Sequence, residues 1–464
     1  MRAAAIAVAA ALALGLALPS LPSLPSLSSG ARAETRAQYG GGVQAAMASA
    51  PTTFDPLRGG PGDAEVAALV FDTPFTVGAD GKPRPSLALA LDNPDGAVRA
   101  RLTLRPDVRF SDGSLLGARD VAASLARAQH DPAGWPLAPV KSVRAAGAET
   151  VELELWRPTP ELALLLATPA AAVTPGGAAP GKRPIGSGPF VVDGSDAGGV
   201  RLSANAGCFA GRAYLNSLAL RAFAARGDES ASYEVGSIQA ARHALAALDA
   251  TGPRRAAVTV DGAQALTGFV AVGRIADAEV VRRVLALAIN RDRLRRLTVR
   301  EPAAVVKGAF DPARAKSEVE RRWGQERPKL ELLVDASRFD DRDVAERILA
   351  DLARAGIELS VDAVDAATYQ ARVEAGRYAL VLGSAAPPAP DATLAALALV
   401  AAVDPAAARA ALQRAPGAAV DLDATRVVPL FVRAARLYVA PELRDLAVDG
   451  AGRASWADAH WLSH

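Results

Sequence analysis

The chain has 464 residues, with 52 basic and 50 acidic side chains, four histidines and a single cysteine. That balance lacks the surplus of Lys and Arg that phosphate recognition needs, which argues against nucleic acid as a partner, and one cysteine excludes an intramolecular disulfide. A single hydrophobic core stops growing at roughly 250 to 300 residues, so at least two lobes are expected.

The amino terminus reads as an export signal. Arg2 precedes an uninterrupted apolar run from Ala3 to Leu18, then a Pro/Ser segment and Ala31-Arg32-Ala33, whose small residues suit a signal peptidase; cleavage is expected after Ala33. The run is short for a membrane span of about 20 residues, although a retained anchor with a Pro/Ser stalk is the alternative reading. A lipid anchor would need a cysteine near the cleavage site, and Cys208 is far away, in a segment where a buried structural thiol is expected. Without residues 1–33 the chain carries 50 basic and 50 acidic groups, because Arg2 and Arg32 leave with the signal. A freely soluble, periplasmic protein is the expectation.

Val98 to Leu104 alternates apolar and polar residues as a half-buried strand does, and Phe110-Ser-Asp-Gly113 then supplies turn chemistry. Val121, Leu125 and Ala128 fall at helical spacing within Gly117 to Gln129, with Asp120 in the first turn, where the helix dipole favours an acid. A second alternating run covers Thr150 to Trp156, and residues 161–167 are again helical. The Gly/Pro/Ala-rich segment Pro175 to Pro184 marks a lobe boundary. One amphipathic helix is expected over Val280 to Leu297. Strands at Leu330–Val334, Ile357–Val361 and Tyr378–Leu382 alternate with helices at Arg342–Arg354, ended by Gly356, and Ala366–Glu374; such alternation indicates an α/β lobe. Trp156, Trp323, Trp456 and Trp461 are expected in cores.

The order of motifs resembles the large peptide/nickel-binding branch of ABC-importer binding proteins, extracellular solute-binding protein family 5. The most specific stretch is Leu104-Arg-Pro-Asp-Val-Arg-Phe-Ser-Asp-Gly-Ser-Leu-Leu-Gly-Ala-Arg-Asp-Val121. Phe54-Asp-Pro-Leu57, Phe75 to Leu89, Pro184-Ile-Gly-Ser-Gly-Pro-Phe190, Val281 to Asp292, Phe310 to Lys316, Leu352 to Leu359, Val427 to Leu430 and Leu446 to Gly450 are similar to further family elements in the same order. Most of these are scaffold: Asp112-Gly113 and Gly186 to Pro189 are expected to impose turns that glycine readily allows.

The resemblance implies an α/β, two-lobed periplasmic-binding-protein fold with an inserted domain. Lobe I would combine residues 34–60, 184–265 and 425–464, accessory domain II would be 61–183, and lobe III 266–424. It implies a small-molecule or peptide ligand, an ABC permease in the inner membrane as partner, a monomer, and neither cofactor nor catalysis. Ligand-binding positions implied are Ala50, Pro51, Thr52 and Thr53 on lobe I, Phe269, and Gly383, Ser384 and Ala385 with Asp391. Peptide-binding relatives carry a Gly-Trp segment with an acid for the peptide ammonium in the loop that here reads Gly383-Ser-Ala-Ala-Pro-Pro-Ala-Pro-Asp391. The tryptophan is absent and the acid falls late, so a smaller or unusual cargo, such as a sugar, an opine or a metal chelate, competes with a peptide.

Two other classes remain open at this point, a ligand sensor coupled to a signalling partner and a secreted hydrolase. For the latter, Ser187 lacks the Gly-x-Ser-x-Gly spacing of a nucleophile elbow and is expected to be a turn serine. For metal, His130 and His243 are isolated and His460 and His464 sit at the chain end. If the implied positions line a cleft, Ser384→Trp blocks ligand binding while leaving the thermal unfolding of the free protein unchanged. Calorimetric titration of the variant checks this, and retained affinity would remove Ser384 from the site.

Overall fold

The structure, a computed structural model, describes residues 37–242, 255–298, 303–305, 308–414, 422, 425–448 and 454–462. The expected signal segment, His243 and His464 lie outside the described residues.

Strand β1 (Gly42–Ala46) leads through a loop to helix α1 (Pro61–Val70). A hairpin of β2 (Phe75–Val77) and β3 (Pro83–Pro85) is followed by β4 (Ala88–Asp92), β5 (Arg99–Leu104) and α2 (Ala118–His130). Then come β6 (Val140–Ala145), β7 (Thr150–Leu155) and the single turn α3 (Leu162–Leu165). An antiparallel sheet in the order β4-β5-β7-β6 results. Strand alternation works as the sequence predicts: Val151, Leu153 and Leu155 are buried, while Glu152 faces Arg101 and Arg144 and Glu154 meets Lys141 on the outer face. Continued by one residue, the same alternation turns Trp156 outward. It is 58% exposed, with the Lys141 ammonium 5.4 Å from its ring centroid, which corrects the expectation of a core tryptophan there. Trp456 is buried, and Trp323 and Trp461 are half-buried.

The chain continues through β8 (Phe190–Asp196), β9 (Gly199–Ala204), β10 (Ser217–Arg221), α4 (Arg226–Glu234) and β11 (Ala240–Ala241). The 15-residue strand β12 (Val258–Val272) follows. After it come α5 (Ala278–Ala288), α6 (Arg291–Thr298), β13 (Ala303–Val305), α7 (Pro312–Trp323) and β14 (Lys329–Asp335). Then follow α8 (Phe339–Ala355), β15 (Glu358–Val364), α9 (Ala366–Glu374), β16 (Leu380–Ala385), α10 (Ala392–Ala401), α11 (Pro405–Arg414) and the long strand β17 (Val427–Val439). The single helix expected over Val280–Leu297 is two. Ile289 is extended, and the Asn290 side chain accepts from Arg293 N at 2.8 Å to open α6, while Asp351 accepts from Asn290 N at 2.9 Å. An apolar stripe that continues in phase hides such a break, because Ile289 and Leu294 are buried on both sides of it.

An 11-stranded sheet runs β15-β14-β16-β12-β17-β11-β1-β10-β9-β8, with β13 paired to β17. β1 is parallel to β10 and β11, and β14 is parallel to β15 and β16; β12 and β17 are antiparallel to each other and join the two groups. Side chains gather in separate cores. The β4–β7 sheet packs on α2 and also takes in Leu394 and Leu397 of α10 and Leu412 of α11. β1, α1 and β8 to β10 enclose a second core with Leu437 and Val439 of β17. On one face of β14, β16 and β12, Leu332, Leu380, Val270 and Val272 meet α5, α7 and α8; on the other, Leu333, Val381, Phe269 and Ala271 meet Tyr378 and Leu399. The two faces of each strand thus feed two different cores, as a sheet covered on both sides requires.

The return segment Pro184–Phe190 crosses the outgoing residues Leu69–Thr73 at close range. A Cβ on Gly186 would lie 2.0 Å from Val70 O, and one on Gly188 2.6 Å from Leu69 O. These glycines are required by crowding and not, as expected, by a turn with positive φ; Gly113, at φ +87, is the turn glycine. Gly188 N donates to Val70 O at 2.9 Å, and Ser187 Oγ donates to Asp72 Oδ2 at 2.8 Å. Burial lifts the Asp72 carboxyl to about 6, with the Ser187 bond pulling the other way. Cys208 is buried nearby, and burial pushes its thiol up to about 11.

Because the folded-state pKa of Asp72 is raised, its cost is absent below the unfolded value near 4, grows as pH rises towards 6, and is constant above. A shift of about two units corresponds to about 3 kcal/mol. Asp72→Asn keeps an acceptor for Ser187 and is expected to stabilise the protein by about 1–3 kcal/mol at pH 7.5 and by much less at pH 4. Denaturant unfolding of both proteins at the two pH values measures the difference; an equal effect at both would reject the assignment.

Candidate functional site

Strand polarity brings two groups of loops towards each other. β11, and with it β1 and β10, runs in the direction of β12; β16, β14 and β15 run against it. β11 ends at Ala241, opposite Tyr438 of β17, and β16 ends at Ala385, opposite Thr267 of β12, which pairs with Val432. The carboxyl ends of both parallel groups therefore point into the stretch between Val432 and Tyr438, roughly 20 Å of β17. Open α/β sheets take ligands outside the carboxyl ends of their strands, and here two such edges face each other across a shared pair of strands.

At the floor of this stretch Arg436 donates to both carboxylate oxygens of Asp261, at 2.5 and 2.7 Å, and holds that carboxyl below its usual range. Leaving β1, the chain runs through Ala50, Pro51, Thr52 and Thr53 to Phe54. Asp63, 3% exposed in the first turn of α1, fixes this loop by accepting from Thr52 N at 2.6 Å, Thr53 N at 2.7 Å and Gly60 N at 2.6 Å. Thr52 is exposed, with its hydroxyl 3.3 Å from both Asp63 carboxylate oxygens. Glu65, two residues on, pairs with Arg242 at the end of β11 and accepts from Ala48 N at 3.2 Å.

On the opposite edge, Asp335 at the end of β14 accepts from Ser337 N and Oγ, at 2.9 and 2.6 Å. Arg338 donates to Ser384 Oγ and lies 3.3 Å from Asp341. Phe269 and Gly383 are paired neighbours on β12 and β16, but Phe269 is 3% exposed and its Cζ would lie 2.8 Å from a Cβ on Gly383. Tyr369 donates its hydroxyl to Leu382 O at 2.8 Å. Ser384 and Ala385 are half-buried at the strand end, and Asp391, exposed, caps α10 by accepting from Leu394 N at 2.8 Å. Gln370 Nε2 donates to Gly59 O at 3.2 Å, which bridges the two edges.

Thus the implied residues Ala50–Thr53 and Ser384–Ala385 stand at the two converging edges, Phe269 and Gly383 lie beneath the second, and Asp391 is spent on a helix cap. Sequence reading missed Asp63, Glu65, Arg242 and Arg338. Asp63 had a signal, since Gly60-Pro-Gly-Asp63 carries Pro at the first helical position and an acid at the third. Ser187 is fully buried on Asp72, as a structural serine is. Asp63→Ala strands three backbone donors, so a loss of about 3 kcal/mol is expected on denaturant unfolding, together with protease sensitivity in residues 48–60.

A family model described as bacterial extracellular solute-binding proteins, family 5 middle, matches residues 82–402. The uncharacterized protein YhjP of Bacillus subtilis (strain 168) is 34% identical over 151 residues, which is 32% of this chain and 26% of that relative, so the match spans about a quarter of the relative's length. Among solved structures, AgaA of A. tumefaciens R10 in complex with agropinic acid superposes with a TM-score of 0.81 at 18% identity, over 91% of this chain and 99% of the other. A dipeptide binding protein of Pseudoalteromonas sp. SM9913 with Met-Leu gives 0.76 at 14%, over 91% and 100%. AppA of Bacillus subtilis with a nonapeptide gives 0.75 at 16%, over 92% and 100%. At these identities the likeness establishes the fold, a mixed α/β, two-lobed periplasmic-binding-protein architecture. With two opposed strand edges in the structure and a family model covering most of the described body, the chain belongs to the bacterial extracellular solute-binding proteins, family 5.

Proposed function

We propose that this protein is the periplasmic substrate-binding component of an ABC importer, working as a monomer that encloses a small solute between two lobes and delivers it to an inner-membrane permease. In this reading residues 1–33 direct export and are removed. Lobe I consists of 34–60, 184–265 and 425–464, accessory domain II of 61–183, and lobe III of 266–424. The observation that carries the proposal is the convergence of two sets of strand carboxyl ends across β12 and β17, with polar loops on both sides. A solute touching both edges binds the closed form better than the open one, and that difference in affinity drives closure.

The Asp63, Asp335 and Asp391 carboxylates are engaged with their own backbones, which favours a solute that does not depend on a free acid for an ammonium group. Arg338, beside Ser384, provides a guanidinium for a solute carboxylate or hydroxyls. Agropinic acid in AgaA and short peptides in the other two neighbours bracket the chemistry to screen.

A thermal-shift screen of opines, peptides, sugars and metal chelates tests the proposal. A cognate solute at 100 times its dissociation constant adds about 2.7 kcal/mol to the folded state and is recovered unchanged. Arg338→Gln is expected to weaken a carboxylate-bearing cognate solute by roughly tenfold or more. Sustained conversion of the bound compound would overturn the reading, and an adjacent sensor kinase gene in place of permease and ATPase genes would redirect it to signalling.

A further inference from the structure

A second concavity lies at the other end of β16. Tyr378, just before the strand, and Ser384, near its end, are six positions apart, roughly 20 Å. The cavity, about 410 Å³, is bordered by the carboxyl end of α2, by the end of α9, by the start of α11 and by Arg274 and Arg426. Its walls thus come from the β4–β7 sheet unit on one side and from the β14–β16 unit on the other.

The charges in it are unevenly satisfied. Asp131 is held by Arg58 at 2.6 Å, and Asp404 accepts from Ala407 N at 3.0 Å to cap α11. Arg409 donates to the backbone oxygen of Asp131 at 2.7 Å. Among the described residues Arg426 reaches only Asp404, at 3.8 Å, and Arg274 has no hydrogen bond or ion pair. Arg274, Arg409 and Arg426 line the cavity with Asp131, Glu374 and Asp404, so its formal charges balance, but Asp131 is already taken up by Arg58 from outside and Asp404 by the start of α11. Tyr378 sits among these groups. Its ring is core, the residue is 8% exposed, and its hydroxyl has no partner among the described residues although it borders the cavity. Burial raises that phenol above its ordinary range, Arg426 and Arg274 draw it down, and Asp404 pushes it up. A hydroxyl donor that opens to the cavity without an acceptor, beside two guanidinium groups with donors to spare, is complementary to an oxygen-rich anion.

We propose that the cavity bordered by Arg274, Arg426 and Tyr378 is a second binding site, separate from the crevice between the strand edges, for a small oxyanion bearing carboxylate or phosphate groups. Such an anion accepts from both arginines and from the Tyr378 hydroxyl. It thereby fastens the β14–β16 unit to the carboxyl end of α2, which makes it an effector of the solute-binding body and not its cargo.

Inorganic phosphate and citrate, titrated calorimetrically into the full chain at ionic strength matched with sodium chloride, test the site. Saturable binding of at least one probe is expected. Arg274→Gln and Arg426→Gln should each weaken it by roughly tenfold or more, and Tyr378→Phe by several-fold. Arg274 is exposed, so its replacement leaves the fold intact, and unchanged thermal unfolding without probe verifies that. Ser384→Trp, which blocks the crevice, should leave probe binding unaltered. The proposal is overturned by absence of saturable binding with either probe, by binding that survives Arg274→Gln, or by binding that Ser384→Trp abolishes, which would place the anion in the crevice.

Discussion

The antiparallel pairing of β12 with β17 holds the architecture together. It runs from Val258–Val439 at one end to Ala271–Val427 at the other, with irregularities near Asp261 and Gly268. Each strand serves two cores, because Leu437 and Val439 pack with β1 and α1 while Val428 and Leu430 pack with α5 and α8. Hydrophobic packing anchors the pair at both ends, and in between β17 is flanked by the short strand β13 only as far as Arg433, which leaves the stretch up to Leu437 as the place where the pair can bend. The register also fixes where the parallel strands stop, so the placement of the crevice follows from strand pairing and not from any one side chain.

Around that crevice, most acids serve the backbone. Asp63 locks the loop after β1, Asp335 and Asp365 turn the chain after β14 and β15, and Asp391 starts α10. A carboxylate that accepts two or three N–H groups is a structural element, well ordered but with little left to give a ligand. The arginines differ. Arg338 and Arg436 each bind a carboxylate through a guanidinium with five N–H groups, and Arg338 also donates to Ser384, so the polar character that the crevice offers a solute is set by guanidinium and hydroxyl groups.

Local patterns make the scaffold legible in the sequence. The alternation in Thr150–Leu155, the Gly356 stop after α8 at φ +91, and the αβ succession from β14 to β16 all appear where the residues put them. What failed was information that sequence spacing does not encode. Trp156 followed the strand period to the outside, against its own hydrophobicity, and Ile289 broke a helix whose apolar stripe stays in phase. Gly186 and Gly188 were correctly seen as special, but for a reason that needs the neighbouring chain, the carbonyls of Leu69 and Val70. At the crevice, Ala50–Thr53 and Ser384 could be named because they follow strands, whereas Arg338 precedes a helix without any flanking pattern and becomes visible only through Ser384.

Cys208 has a practical consequence. With one thiol in the whole chain, buried and far less acidic than a free cysteine, folding needs no oxidation step and no disulfide partner can trap it. The same burial makes the sulfur a silent tag: an alkylating reagent reaches it only when the loop between β9 and β10 opens. The rate of its modification therefore clocks the opening of that loop without any engineered label.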